Sequence, residues 1–148
     1  ILLFAFSTYV IVTGLQNAGL TSFLIRLLRP FLESGHGHAV ASVGLTLTVM
    51  SNLVNNLPSV MIGTLALTEM GLDGQTLQLA YLANIIGSDI GALLTPMGTL
   101  ASLIWMFLLG KNKIAFTWRQ YMRATIVVIP VALLVSLCSL YGWAKWVA

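Results

Sequence analysis

Charged residues are scarce in this chain. Only 7% of its 148 residues are Asp, Glu, Lys or Arg, whereas a soluble domain has about 25%. Apolar residues make up 58% of the chain, and its mean hydropathy is +0.95. These values indicate an integral membrane protein and argue against a soluble enzyme. The net charge of +3 does not indicate nucleic-acid binding, because the basic residues lie at the ends of apolar runs, where they act as topology signals.

Residues for metal, disulfide or nucleotide chemistry are equally few. Cys138 is the single cysteine, which excludes an internal disulfide and a cysteine-cluster metal site. His36 and His38 lie in the polar, Gly-rich segment 33–38 with only Glu33 as an acidic neighbour, and we interpret this segment as a loop. No Walker A phosphate loop is present. We therefore predict no catalytic residues, metal or cofactor, and any transport must draw on an ion gradient or a separate ATPase.

The first residues of the chain are already apolar. Ile1 opens an apolar run to Val12 without Met or a charged segment, and a signal peptide does not begin this way. We expect the chain to be part of a longer protein, cut before or within a membrane helix.

A single acid stands in a long apolar stretch. No Lys, Arg, Glu or His occurs between Gln75 and Gly110, so Asp89 is the only charged side chain there. Downstream, Pro96 removes a backbone donor and disfavours helix at the residue before it, and Gly98 loosens the chain further. We predict a broken helix over 77–109 with its break at these two residues.

Asp89 has two interpretations. An acid in apolar surroundings is costly when charged, so Asp89 could take up and release a proton or carry a cation. Alternatively, it is a structural acid paired with a Lys, an Arg or a backbone group elsewhere. Ala83, Gly87 and Gly91 recur every four residues and permit close helix approach. Asp89 should point to the opposite face.

A second polar cluster interrupts another apolar region at 51–59. It contains three Asn, two Ser and Pro58, and the apolar arms 39–50 and 60–67 flank it. Each arm would form about 18 Å of helix, against a membrane core of about 30 Å. Either one broken helix crosses the membrane, or a re-entrant hairpin over 39–70 carries its polar tip at 51–59. The positive-inside rule favours the crossing helix, because Arg26 and Arg29 would then be cytoplasmic.

The last third of the chain contains most of the basic residues. Lys111, Lys113, Arg119 and Arg123 predict that the loop 110–123 is cytoplasmic. Residues 124–146 should form the last transmembrane helix. We thus predict an all-α, multi-pass membrane protein with a single membrane domain over 1–148.

Two polar breaks in apolar helices are typical of secondary transporters, which usually repeat the pattern in inverted form. The backbone groups and polar side chains at such breaks could bind an anion, a cation or a small neutral polyhydroxyl solute. One copy is visible here, so we expect the other upstream. The asparagines could instead join helices by hydrogen bonds. An intramembrane aspartyl protease would need a second facing acid, and a purely structural anchor would not require two breaks.

Four stretches resemble the C-terminal half of the arsenical pump membrane subunit, an arsenite and antimonite efflux family of the ion transporter superfamily. The resemblance runs in order over nearly the whole chain. It implies a C-terminal repeat with a re-entrant hairpin and a broken helix, and so favours the hairpin. The stretches are Tyr9-Val-Ile-Val-Thr-Gly-Leu-Gln-Asn-Ala-Gly-Leu20, Ser51-Asn-Leu-Val-Asn-Asn-Leu-Pro-Ser59, Tyr81-Leu-Ala-Asn-Ile-Ile-Gly-Ser-Asp-Ile-Gly91 and Thr95-Pro-Met-Gly-Thr-Leu-Ala-Ser102.

The resemblance also implies a function. The family exports trivalent arsenic and antimony hydroxides through the inner or plasma membrane, by exchange for protons or with a cytoplasmic ATPase subunit. It implies ion coupling at Asp89 and helix breaks at Pro58, Pro96 and Gly98. The substrate-binding positions it implies are Ser51, Asn52, Asn55, Asn56, Thr95 and Thr99.

Three positions differ from the family pattern. Ser88 stands where the pattern has Cys, and Ala92-Leu93 where it has Pro-Lys. A soft arsenic ligand and a possible partner for Asp89 are thereby lost, so sodium/proton antiport or carboxylate transport within the superfamily stays open.

Overall fold

The computed structural model describes residues 2–147, and all its regular elements are helices. This confirms the all-α prediction. In chain order, a 3₁₀ segment (Gly91–Leu94) follows the fifth of seven α-helices. These are α1 (Leu2–Asn17), α2 (Leu20–Glu33), α3 (His36–Val54), α4 (Asn56–Glu69), α5 (Gly74–Asp89), α6 (Leu100–Lys111) and α7 (Trp118–Val147).

Several elements are long and apolar enough to cross a membrane. Three qualify by length and composition, namely His36–Val54, Gly74–Leu94 and Trp118–Val147. A fourth arises if α1 and α2, which are bent by 67° relative to each other, count as one span. The bend lies at Gly19, whose φ of 88° is readily adopted only by glycine. The chain is therefore built as a multi-pass membrane protein.

Helices α3 and α4 form a hairpin that turns at Asn55. The Ser59 hydroxyl lies 3.4 Å from the Leu47 carbonyl oxygen, although these residues would be about 18 Å apart along a straight helix. Gly63 packs against the Leu47 side chain, one further turn from the tip. The two arms therefore run back along each other.

The outer ends of the hairpin arms also lie close together. Asp73 caps α5 by accepting a hydrogen bond from the Thr76 backbone N–H. Hydrogen bonding to Thr76, mainly to its side chain and then to its backbone, lowers the pKa of Asp73. The charge of His36 lowers this pKa further. Since His36 begins α3 and Asp73 follows α4, both arms end on the same side of the molecule.

Glycines bring the hairpin and α5 into contact. A Cβ at Gly87 would overlap the Gly44 carbonyl, and one at Gly91 would overlap the Thr48 side chain. Gly44 in turn packs against Leu137 of α7. The buried face of the predicted small-residue stripe is thus confirmed, and Asp89, on the other face, is exposed. The apolar core fills the space between these helices, with Leu28, Leu47, Ile62, Leu67 and Leu79 fully or almost fully buried.

Several predicted boundaries need correction. The polar tip at 51–59 is helical except at Asn55, and Pro58 lies in the first turn of α4, where its missing N–H is tolerated. The hairpin spans 36–69 instead of 39–70. With 19 residues, or about 28 Å, α3 is also longer than the predicted arm.

The other boundaries shift by a few residues. The helices on either side of the break cover 74–111, against 77–109 as predicted, and α7 covers 118–147, against 124–146. The predicted loop at 33–38 shrinks to Ser34 and Gly35, and the loop at 110–123 shrinks to 112–117.

Candidate functional site

The hairpin tip meets the break in the second interrupted helix. Pro96 is fully buried there, and Gly98 approaches the Ala92 carbonyl so closely that a Cβ would overlap it. The backbone N–H of Asn56 donates to the Gly98 carbonyl at 2.9 Å. We call this place, formed by residues 52–56 and 95–98, the junction.

Asn52 joins the two sides of the junction. Its amide nitrogen donates to the carbonyls of Thr48 and Gly91, both at 2.8 Å. Its Oδ1 accepts from the backbone N–H of Thr95 at 2.9 Å. Both amide hydrogens are in use, so Asn52 holds the unwound backbone in place and has no free donor to offer a ligand.

Helix α7 supplies two more partners for the unwound backbone. The Tyr121 hydroxyl donates to the Leu93 carbonyl at 2.9 Å, and the Thr125 hydroxyl donates to the Leu94 carbonyl at 2.8 Å. Carbonyls at a helix end must find partners when water is absent. Sequence reasoning missed this role, because no local pattern reveals a hydroxyl that binds a carbonyl 28 or 31 residues away.

Asn55 adopts an unusual backbone conformation. Its φ of 77° and ψ of 158° lie in a region that is essentially restricted to glycine and costs other residues about 1–3 kcal/mol. Its amide nitrogen lies 3.4 Å from the Met97 carbonyl. Its Oδ1 is buried and has no hydrogen-bond partner among residues 2–147. Such strain commonly accompanies a functional site.

Thr95 is the second residue with an unsatisfied oxygen at the junction. Its Oγ1 is buried, and the structure as described provides it with no partner. Its backbone N–H is held by Asn52. The break therefore presents a hydroxyl on one side, and the hairpin tip presents an amide oxygen on the other.

Two other predicted ligands are engaged within their own helices. The Thr99 hydroxyl accepts from the backbone N–H of Ser102 at 3.0 Å and caps α6. Ser51 is fully buried and donates to the Thr48 carbonyl at 2.9 Å. Both stabilise the elements that carry the junction.

The predicted coupling acid lies at the edge of the junction. Asn56 donates from its amide nitrogen to Asp89 Oδ1 at 3.4 Å. Asp89 is exposed, so residues 2–147 do not provide the apolar burial that the sequence led us to expect. The structure nevertheless places Asp89 next to the hairpin tip, 33 residues away in the chain.

Comparison with known proteins identifies the family. The model of the ArsB family, arsenical pump membrane protein, matches residues 1–144. The chain belongs to this family.

Relatives of this ArsB-family chain are found in several bacteria. It is 47% identical over 146 residues to a protein of Bacillus subtilis (strain 168), covering 99% of the chain and 33% of the relative. It is 34% identical over 140 residues to an arsenical pump membrane protein of Escherichia coli and 33% identical to one of Shigella flexneri, each covering 95% of the chain and 33% of the relative. The chain thus spans about a third of the length of these relatives. No solved structure matches the chain.

Proposed function

We propose that this ArsB-family chain carries the substrate site of a secondary transporter that exports arsenite and antimonite. The observation that carries the proposal is the pair of buried, unpartnered oxygens at the junction, Asn55 Oδ1 and Thr95 Oγ1. Two interrupted helices that meet in an apolar protein are the usual setting for a transport site. The name arsenical pump membrane protein, which the relatives from Escherichia coli and Shigella flexneri carry, supports the choice of substrate.

The chemistry of the two oxygens favours a neutral hydroxide. Trivalent arsenic and antimony hydroxides present three O–H donors, and Asn55 Oδ1 can only accept a hydrogen bond. A buried acceptor without a partner costs about 1–3 kcal/mol, so a ligand that donates to it recovers that free energy. We assign direct substrate contacts to Asn55 and Thr95, and supporting roles to Ser51, Asn52 and Thr99.

A carboxylate fits this junction less well. An ionised carboxylate brings only acceptors, which gain nothing from Asn55 Oδ1. Backbone donors on both sides are already used, because Asn56 N–H binds the Gly98 carbonyl and Thr95 N–H binds Asn52. Little is left for an anion to bind.

Sodium is the stronger second candidate. Amide, hydroxyl and carboxylate oxygens are suitable ligands for hard cations. Asn55 Oδ1, Thr95 Oγ1 and the nearby Asp89 would provide such oxygens, so a sodium/proton antiporter is the alternative function.

Asp89 is our candidate for coupling. As a carboxylate it accepts a hydrogen bond from Asn56, and protonation of that oxygen would break the contact and free the Asn56 amide at the hairpin tip. Proton uptake would thereby change the junction. A cytoplasmic ATPase subunit is the other energy source that we consider.

The membrane arrangement is proposed from the hairpin and the charges. Both hairpin arms end on one side, so the hairpin enters and leaves the membrane from that side. By the positive-inside rule, the basic residues around 112–117 support a cytoplasmic position for the opposite side. We place the protein in the cell membrane, surrounded by lipid, with the junction between its two faces.

Growth and vesicle assays test the proposed function. The protein, expressed at the length that its own gene encodes in cells without an arsenite exporter, should restore growth in arsenite but not in high sodium. Everted vesicles should accumulate arsenite only when the protein is present. If the protein restored growth in high sodium but transported no arsenite, the proposed function would be wrong and the protein would be a sodium/proton antiporter.

A further inference from the structure

A row of polar side chains, most of them buried, joins the hairpin to α5 behind the junction. The Asn84 amide nitrogen donates to the Val60 carbonyl and to the Thr64 hydroxyl oxygen, both at 3.1 Å. Its Oδ1 accepts from the Ser88 hydroxyl at 3.3 Å. Ser88 in turn lies 3.5 Å from the Ser59 hydroxyl. We call Thr64, Asn84, Ser88 and Ser59 the polar row.

Three of the four side chains of the polar row are deeply buried, and Thr64 ends the row at the surface. Ser59 and Ser88 have no exposed surface, and Asn84 is 1% exposed. Polar groups in an apolar interior are costly unless they are paired, and a fully paired set specifies one arrangement of the helices. Asn84 uses both amide hydrogens and its oxygen in this way, so it is the centre of the row.

Packing around Asn84 leaves little freedom. A Cβ at Gly63 would overlap Asn84 Oδ1, so α4 approaches α5 as closely as the side chain permits. Ser59 also lies 3.4 Å from the Leu47 carbonyl of α3. The polar row thus joins α5 to α4 directly, and through Ser59 it reaches α3.

The polar row ends directly behind the junction. Ser59 lies one turn after Asn55 on α4, and Ser88 immediately precedes Asp89 on α5. A shift of α4 along α5 would therefore move Asn55 relative to Asp89 and the break. Ser88 and Asn84 themselves face the hairpin interior, where a substrate at the junction has no access to them.

We propose that Asn84 is a positioning residue for transport, which sets the register of the hairpin tip against the broken helix. The inference rests on the proposed function of the junction. Asn84 does not touch the substrate. It acts through Asn55, by holding α4 at the one position that aligns the tip with Thr95.

The test compares two substitutions that each remove a contact between α4 and α5. Asn84→Leu keeps the branching and the number of heavy atoms of the side chain, and it removes the hydrogen bonds of Asn84 to Val60, Thr64 and Ser88. Thr68→Val is the matched control, because Thr68 pairs with Tyr81 of α5 at 2.7 Å but lies nine residues beyond Ser59, away from the junction. Both variants are made in the protein as its gene encodes it, and arsenite uptake by everted vesicles is measured per molecule of protein in the membrane.

Asn84→Leu should raise the KM for arsenite about tenfold, equivalent to about 1.4 kcal/mol, with a maximal rate per molecule within about twofold of the wild type. Thr68→Val should leave KM unchanged. An unchanged KM in Asn84→Leu, with only less protein in the membrane, would show a merely structural role and overturn the inference.

Ser88→Ala tests the positioning role if the Asn84→Leu protein does not accumulate in the membrane. It removes one member of the polar row and should raise KM about threefold, whereas an unchanged KM would reject the positioning role. A wild-type protein that transports no arsenite would instead reject the proposed function, so the two failures can be told apart.

Discussion

At the scale of single residues, Asn55 combines features that packing alone does not require. Its backbone conformation is suited to glycine, and its side-chain oxygen is buried without a partner. Glycine would form the same turn without strain. The strained backbone and the unpartnered oxygen together support our proposal that the side chain binds a ligand.

Asn55→Gly separates the turn from the side chain. We expect export of arsenite to fall at least tenfold, because the amide oxygen is lost. The free energy of unfolding should stay the same or rise by about 1 kcal/mol, because the relief of strain is offset in part by the flexibility of glycine in the unfolded chain. Vesicle uptake and thermal unfolding in detergent measure the two effects. Wild-type export by this variant would contradict the assignment.

Asp89→Asn tests the coupling role. Asp89 is exposed and its contact with Asn56 is long, so the substitution should leave folding almost unchanged. It should reduce proton-driven arsenite export at least tenfold, because an amide cannot take up the proton. Arsenite addition to vesicles that contain a pH-sensitive dye reports the exchange. A variant that still moves protons with arsenite would exclude Asp89 as the carrier.

Asn52→Leu should destabilise the protein. It leaves the Gly91 carbonyl and the Thr95 N–H without their partner, which together should cost about 2–4 kcal/mol. Asn112→Leu is the control. Among residues 2–147, the amide of the exposed Asn112 donates only to the Leu108 carbonyl of the preceding helix α6, so its replacement should change stability by less than about 0.5 kcal/mol. Equal melting temperatures for the two variants would contradict the proposed role of Asn52.

At the scale of helices, α3 and α5 meet through glycines. Gly87→Ala would place a methyl group against the Gly44 carbonyl, and we expect a loss of about 1–3 kcal/mol in stability. Gly14→Ala provides the control, because Gly14 lies in α1 with open space around it and alanine favours helix by about 1 kcal/mol. Thermal unfolding should move in opposite directions in the two variants. A stabilised Gly87→Ala variant would mean that the two helices are not in close contact.

Some helix features could be predicted from the sequence and others could not. Pro96 and Gly98 mark a real break, because Pro96 has no backbone donor and side chains of α7 bind the unwound carbonyls instead. Pro58 misled the prediction, since the first turn of a helix needs no such donor. The cluster at 51–59 turns at one residue only, because Asn52 stays helical while its amide satisfies two carbonyls.

In the candidate site, too, some residues could be predicted from the sequence and others could not. Polarity in an apolar run indicated Asn55 and Thr95, and the structure brings them to one junction. Tyr121, Thr125 and Asn84 could not be assigned, because their partners come from distant parts of the chain. Ser88 was interpreted as the loss of a soft ligand. It is buried in the polar row, and we propose for it a role in helix register instead of substrate contact.

At the scale of the whole molecule, the hairpin predicts on which side of the membrane each loop lies. Single cysteines at Ser34, Glu69 and Asn112, introduced into a Cys138→Ser background, would report it. A membrane-impermeant thiol reagent should label the first two from outside the cell and the third only after the membrane is opened. If positions 34 and 69 were labelled from opposite sides of the membrane, α3 and α4 would form one broken helix that crosses it, and the re-entrant hairpin would be excluded.

The hydrogen bonds by which Asn52 joins the two sides of the junction also have a consequence for the biogenesis of the protein. Asn52 Oδ1 is satisfied by Thr95, 43 residues further along the chain, and a ribosome needs roughly 2–9 s to synthesise such a length. Throughout that interval the hairpin tip has exposed polar groups that lipid cannot satisfy. We therefore expect the hairpin to wait at the membrane surface or beside an insertion factor, and to enter the membrane only after the segment that follows α5 has arrived.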